Sequence, residues 1–401
     1  MGGRSLQEAF QACGEDLTSE RAFLKYYIAR EAGASLELSE RMLMDRRHVK
    51  ALLTGQRGAG KSVELMRTVM DTRSGLLPLY VKIDLPADRA QIPELLVATG
   101  QGMCRRLGEM NIQASEQAVR SLAVWIRDSL KVQADDKGGM QGAVDSFCKV
   151  SERLRRRETR PELAAAIDAR REELGQRLSE LAHDVSTKAG KDVLLVLDGL
   201  ERSGRSPAVA FLLESGLLDF QFKCICTMPF PALHSPQFRS LRQSFDMISI
   251  QGLSETGTDT TSSGGGGGSE LRDMVDKRAG GGLIDNAALD LLLRNCGGNP
   301  GDLLGLTGGC CLKASMRGRT RIDTGVVENV LEDHRMEMRR FLTPEEWTRL
   351  YEIRRGTSET ADETLATLLD SGAVLEYPGR KPMYHVHPAL LGVLDSRGSA
   401  L

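Results

Sequence analysis

The chain has 401 residues, of which 41% are hydrophobic and 27% charged, enough apolar material for two or three domains with a substantial core. A formal net charge of -2 means that global electrostatics cannot drive it onto nucleic acid or an anionic membrane, so any such binding needs a local patch. The opening "MGGRSLQEAFQACGEDL" has no apolar stretch of signal-peptide length and no run of 18 apolar residues follows, which predicts a soluble cytoplasmic protein with no membrane partner.

In chain order, residues 1–46 read as a helical segment, with apolar positions three and four apart in "SERAFLKYYIAREA" and "LELSERMLMDRR". "HVKALLT" is a short buried strand. The glycine-rich "GQRGAGKS" (Gly55 to Ser62) and the helical "KSVELMRTVMDTR" follow it. Further strands are "LPLYVKIDL" (Leu77 to Leu85), "DVLLVLD" (Asp192 to Asp198), "FKCICTM" and "DMISIQGL" (Asp246 to Leu253). Strands separated by helical segments predict a parallel sheet covered on both faces, an α/β fold. A polar, helical insertion of about 88–190 separates the second and third strands. Its basic run "SERLRRRETR" (Ser151 to Arg160) reads as a solvated face, with a protein or nucleic-acid contact as the alternative.

Residues 254–269, centred on "TTSSGGGGGSE", have the composition of a flexible linker. Five consecutive glycines between serines also fit a splice in place of a longer loop. Residues 270–334 are helical again. Residues 335–401 give two helices and then a hairpin, "VLEYPG" and "PMYHVHP" around "GRK", which is the pattern of a winged helix. The core is accordingly set at 47–253. Eight scattered cysteines with no CxxC pair read as buried small apolar residues, and Cys224 and Cys226 alternate onto one face of a strand. His385 and His387 alternate likewise, and read as structural.

The chemistry concentrates in the glycine loop. In a GxxxxGK[ST] pattern, Gly55, Gly58 and Gly60 let the backbone turn so that successive N–H groups of Gln56, Arg57, Ala59 and their neighbours point into one concavity. Backed by the helix that starts near Lys61 and runs through Val63, such a nest suits a polyphosphate. Lys61 would reach the β- and γ-phosphates of ATP and Ser62 would ligate Mg²⁺. "VLLVLDGLER" supplies a second metal partner, Asp198, on a buried strand that ends at the same sheet edge. Gly199 stands where many ATPases carry the glutamate that polarises water, and Glu201 is the nearest alternative.

"GQRGAGKS", "LLVLDGLER", "CTMP" and "GGNPGDLL" together resemble the AAA+ and STAND branch of P-loop NTPases over roughly residues 49–334. The resemblance implies a P-loop sheet, an α-helical lid and a C-terminal winged helix. It makes Thr227, at the fourth strand's end, the sensor 1 residue. It makes Arg239 and Arg242, in the helix before the fifth strand, candidates for a finger into a neighbour's nucleotide, hence a homo-oligomer. Gly301 departs from the family, which usually carries arginine there in the lid. The implied function is Mg-ATP binding and hydrolysis whose nucleotide state controls oligomerisation and engagement of DNA or a partner protein, with Arg354, Arg355, Arg380 and Lys381 near the tail's helices and wing. The alternative is a nucleotide-gated switch that recruits an effector protein in a bacterial defence system, with little turnover and no direct DNA binding.

Overall fold

The computed structural model describes residues 4–30, 33–45, 48–86, 89–134, 138–250, 252–253, 267–357, 362–377 and 383–398. Most of the glycine–serine segment (254–266), together with Arg380 and Lys381, lies outside the described residues. The chain divides into two compact units. One comprises residues 34–54 and 64–249, and the other residues 1–33, 55–63 and 250–401.

The first unit is built on a five-stranded sheet. Its strands are β1 (Lys50–Gly55), β2 (Leu76–Lys82), β3 (Asp192–Asp198), β4 (Lys223–Thr227) and β5 (Asp246–Ile250), in the spatial order β2-β3-β4-β1-β5. The pairs β2–β3, β3–β4 and β4–β1 are parallel, as the continuous apolar runs predict. β1 and β4 are buried at every position, since helices cover a parallel sheet on both faces. The register pairs Leu197 with Cys226 and Leu53 with Thr227, so β3, β4 and β1 finish together at one edge.

Among the described residues, five helices lie between β2 and β3: Ile92–Glu109, Glu116–Leu130, Gly139–Arg155, Arg160–Asp168 and Arg171–Ala189. Their inner faces are mainly apolar, with a few buried polar groups such as Glu94, Thr99 and Ser146. Leu95, Met103, Ile126, Phe147 and Leu178 share one core with Leu79, Val81 and Leu195 of the sheet. The insertion is therefore packed onto the sheet. Gly102 marks the closest approach, because a Cβ there would lie 2.2 Å from Val81 Cγ1. In the basic run, Arg155, Arg156 and Arg157 are exposed, whereas Arg153 donates to Lys131 O (2.8 Å) and Arg160 pairs with Glu94 (2.8 Å). Two buried lysines close the lower part of the sheet unit. Lys50 Nζ donates to Phe220 O (2.8 Å) and Phe222 O, and burial pulls its pKa down. Lys223 Nζ donates to Met42 O (2.5 Å) and Asp45 O (2.6 Å), capping the helix Ala34–Met44.

The second unit joins the first two helices, Leu6–Cys13 and Glu20–Tyr26, to the chain's C-terminal part. Leu6 and Ala9 enter one core with Leu271, Leu292, Leu303, Cys310 and Val327 from the helices Gly267–Ala279, Asn286–Asn295, Pro300–Met316 and Thr324–Arg340. Burial pushes the thiols of Cys310 and Cys311 up to about 12, so they stay protonated and pack as small apolar groups. The tail consists of helices Pro344–Arg355 and Glu363–Ser371, antiparallel strands β6 (Val374–Tyr377) and β7 (Met383–Val386), and helix Pro388–Gly398. His387 is fully buried, and its Nδ1 accepts from Ala389 N (3.2 Å). No helix among the described residues is long and apolar enough to cross a membrane.

Candidate functional site

In the second unit, residues 55–63 form a tight turn between β1 and the helix Lys61–Thr72. Gly58 and Gly60 take φ of +82° and +93°, in the left-handed region that side-chain-bearing residues avoid. Lys61 opens the helix with its ammonium almost wholly buried. Its Nζ donates to Gly55 O (2.9 Å) and Gln56 O (3.2 Å), so the charge is folded back onto the loop. Ser62 is half-buried one residue into the helix, where N–H groups have no intrahelical partner. A polyphosphate fits this donor set, which combines a buried cation, left-handed glycines and a helix N-terminus.

Three groups hold the turn from outside. Arg30 Nη2 donates to Ala59 O (2.8 Å), Asn299 Nδ2 to Arg57 O (2.7 Å), and the Gly301 N–H to Gly58 O (3.0 Å). Gln56 Nε2 reaches Val374 O of β6 at 3.4 Å. The glycine at 301 also has a steric reason. A Cβ there would stand 2.6 Å from Gly58 Cα, so an arginine cannot occupy this position without moving the helix off the loop.

In the first unit, Asp198 ends β3 with its carboxylate buried, and Tyr80 Oη donates to its Oδ2 at 2.5 Å. Gly199 follows with φ +98°, and a Cβ on it would lie 2.4 Å from Ile83 O, the backbone carbonyl just after β2. No glutamate can stand there as the backbone runs. Glu201 comes next in a short 3₁₀ turn (Leu200–Ser203) and is half-buried. Thr227 ends β4, fully buried, and its Oγ1 accepts from both Gly199 N and Leu200 N (3.0 Å each). It thus fixes the turn after Asp198 while its own O–H remains a donor. Arg239 and Arg242 are both exposed on the helix Phe238–Ser244. Among the described residues no cluster of three or more His, Cys, Asp or Glu could hold a metal ion.

Tyr80 and Arg30 carry no signal in sequence reading, and Asn299 carries one only as a cap. Asn299 before Pro300 announces a helix cap, and its Oδ1 does accept from Gly301 N (2.9 Å) and Asp302 N (3.3 Å). The partner of its amide nitrogen lies 242 residues away and is invisible to local pattern.

A parallel sheet with a glycine loop and Lys-Ser pair after β1, a buried aspartate ending β3 and β4 between them defines a P-loop α/β fold. No protein-family model matches the chain, and no curated protein matches it. Among solved structures it is similar to the Aeropyrum pernix ORC2 protein in its ADP form, with 13% identity, 95% of this chain and 98% of that chain covered, and a TM-score of 0.49. It is similar too to the Aeropyrum pernix ORC1 protein in complex with DNA (14%, 98% of both chains, TM-score 0.46). A third is the Thermotoga maritima RuvB Holliday junction branch migration motor (12%, 92% and 98%, TM-score 0.40). At that depth of likeness, the activity of this chain rests on its own residues.

Proposed function

We propose that this chain is an AAA+-type ATPase that binds Mg-ATP through residues 55–63 and uses the nucleotide's state to control its assembly and its engagement of DNA. The observation that carries the reading is the sheet order. A strand ending in a buried polar residue, Thr227, stands between the strand that leads into the loop and the strand that ends in Asp198. In the proposed site Lys61 neutralises the β- and γ-phosphates, and Ser62 and Asp198 hold Mg²⁺. Bound Mg²⁺ would supply charge neutralisation on the transferring phosphate. Tyr80 would keep the Asp198 carboxylate oriented, Thr227 would act as sensor 1, and Glu201 would orient water. Arg239 and Arg242, exposed and one turn apart, are the groups that can reach a neighbouring copy's nucleotide. The helices after residue 267 act as the lid, and the tail with β6 and β7 as a winged helix. In that tail Arg354 reaches Asp395 (3.7 Å), while Arg355 is exposed and would be free to meet a DNA phosphate.

A specific observation favours a second reading. A Cβ at Gly199 would meet Ile83 O, so the position where many ATPases carry glutamate is closed here and Glu201 is the nearest alternative to orient water. That suits a slow, nucleotide-gated switch whose tail recruits an effector protein. Turnover measured on wild type, Asp198→Asn and Glu201→Gln separates the two. The ATPase reading expects hydrolysis that both variants reduce, with Glu201→Gln still binding nucleotide. A wild type that binds Mg-ATP without hydrolysing it, and shows no salt-dependent DNA binding, favours the switch.

A further inference from the structure

The outer side of the phosphate loop is as ordered as a binding site. Three consecutive carbonyls, of Arg57, Gly58 and Ala59, each accept a hydrogen bond from elsewhere in the second unit: from Asn299, Gly301 and Arg30. A peptide plane whose carbonyl is tied on one side presents the following N–H on the other. Pinning the Arg57 and Ala59 carbonyls therefore fixes which way the N–H groups of Gly58 and Gly60 point. Asn299 is suited to this by having two functions in one side chain. Its Oδ1 caps the helix Pro300–Met316, while its Nδ2 donates 2.7 Å to the loop, and it is 6% exposed. Gly301 completes the contact through its backbone, and its missing side chain is what lets helix and loop approach.

We propose that Asn299 and Gly301 are positioning residues that hold the phosphate loop in its binding shape from outside, so that the lid helix reads the loop's carbonyls and not the terminal phosphate. The inference rests on the nucleotide-binding reading above. It explains why the lid needs no arginine at 301: neutral backbone contacts replace the charged one. It also makes a distinctive claim. A lid that contacts the γ-phosphate discriminates ATP from ADP, whereas one that holds the loop contributes equally to both.

The test is calorimetric titration of the full chain with Mg-ADP and with Mg-ATP, alongside nucleotide-free melting. Asn299→Ser keeps a good helix cap but has no amide to reach Arg57 O. It should melt near wild type and bind both nucleotides about tenfold more weakly, the loss of one buried hydrogen bond and the exposure of its acceptor's cost. Gly301→Ala gives an opposition of signs. Helix propensity alone favours alanine, yet its Cβ meets Gly58 Cα, so affinity should fall by a similar factor for both nucleotides. Should Asn299→Ser fold poorly, Asn299→Thr retains a capping hydroxyl without adding charge and tests the same lost donor. Wild-type affinity in these variants, or a loss confined to ATP, overturns the inference while leaving nucleotide binding intact. No binding by wild type removes the nucleotide reading, and this inference with it.

Discussion

Replacing Gly199 by alanine or glutamate should unfold the edge of the sheet rather than improve catalysis. The residue sits at φ +98°, ψ 4°, where a side chain costs about 1–2 kcal/mol. The new Cβ would press to 2.4 Å from Ile83 O, and relieving it requires backbone movement, an overpacking cost of about 1–3 kcal/mol. The same movement strains the hydrogen bond from Ile83 N to Asp198 O (2.7 Å), worth about 1 kcal/mol. Together these give roughly 3–6 kcal/mol, or a melting temperature lower by about 6–24 °C for a unit of this size. Urea denaturation and thermal melting of Gly199→Ala against wild type measure the effect, and turnover of Gly199→Glu measures the chemistry. An alanine variant that melts with wild type, or a glutamate variant that folds and hydrolyses ATP faster, refutes the steric reasoning.

Tyr80→Phe keeps the ring but removes the donor to Asp198, so Mg²⁺-dependent nucleotide affinity should fall about tenfold while Mg²⁺-free affinity stays put; an unchanged Mg²⁺ titration counts against it. Burial first, then neighbouring His387, holds the His334 pKa below the usual histidine range, with Asp302 and Glu337 opposing. A depressed folded-state pKa makes stability full above the unfolded value of about 6.5 and lost as pH falls below it. Urea midpoints should therefore decline on acidification below pH ~6.5, and His334→Gln should flatten that decline. Arg239→Ala and Arg242→Ala should lower hydrolysis in the assembled protein and leave single-chain nucleotide affinity nearly unchanged. Mass measurement with an ATP analogue against ADP checks the assembly, and a monomer in both states with fully active variants contradicts it.

How much the sequence made legible follows from the range of the interactions. β3 spans the same residues that the apolar run "DVLLVLD" marks, because a strand buried on both faces writes itself as an uninterrupted run. β5 ends at Ile250 rather than at Leu253, whose N–H donates to Gly298 O (2.9 Å), a partner that the apolar pattern cannot show. The glycine loop is legible because its chemistry is contained in eight adjacent residues. Its supports are not. Arg30, Tyr80 and Asn299 act across 29, 118 and 242 residues, distances over which no local pattern carries information. The insertion reads as polar because its helices show alternate faces, and only packing reveals that the inner faces complete the sheet's core. Gly199 and Gly301 both read as departures from a familiar motif. Their causes, Ile83 O and Gly58 Cα, exist only in three dimensions.

The central claim is that residues 55–63 bind the phosphates of a nucleotide through Lys61. Calorimetric titration of Mg-ATP into wild type and Lys61→Ala tests it most directly, with circular dichroism to show that the fold is retained. The alanine variant keeps the loop's N–H groups but loses the ammonium that Gly55 O and Gln56 O now hold. The account predicts binding by wild type and a loss of at least a hundredfold in Lys61→Ala, on the order of 3 kcal/mol for a buried point charge at the phosphates. Equal affinity in the two proteins, with the fold intact, would contradict it.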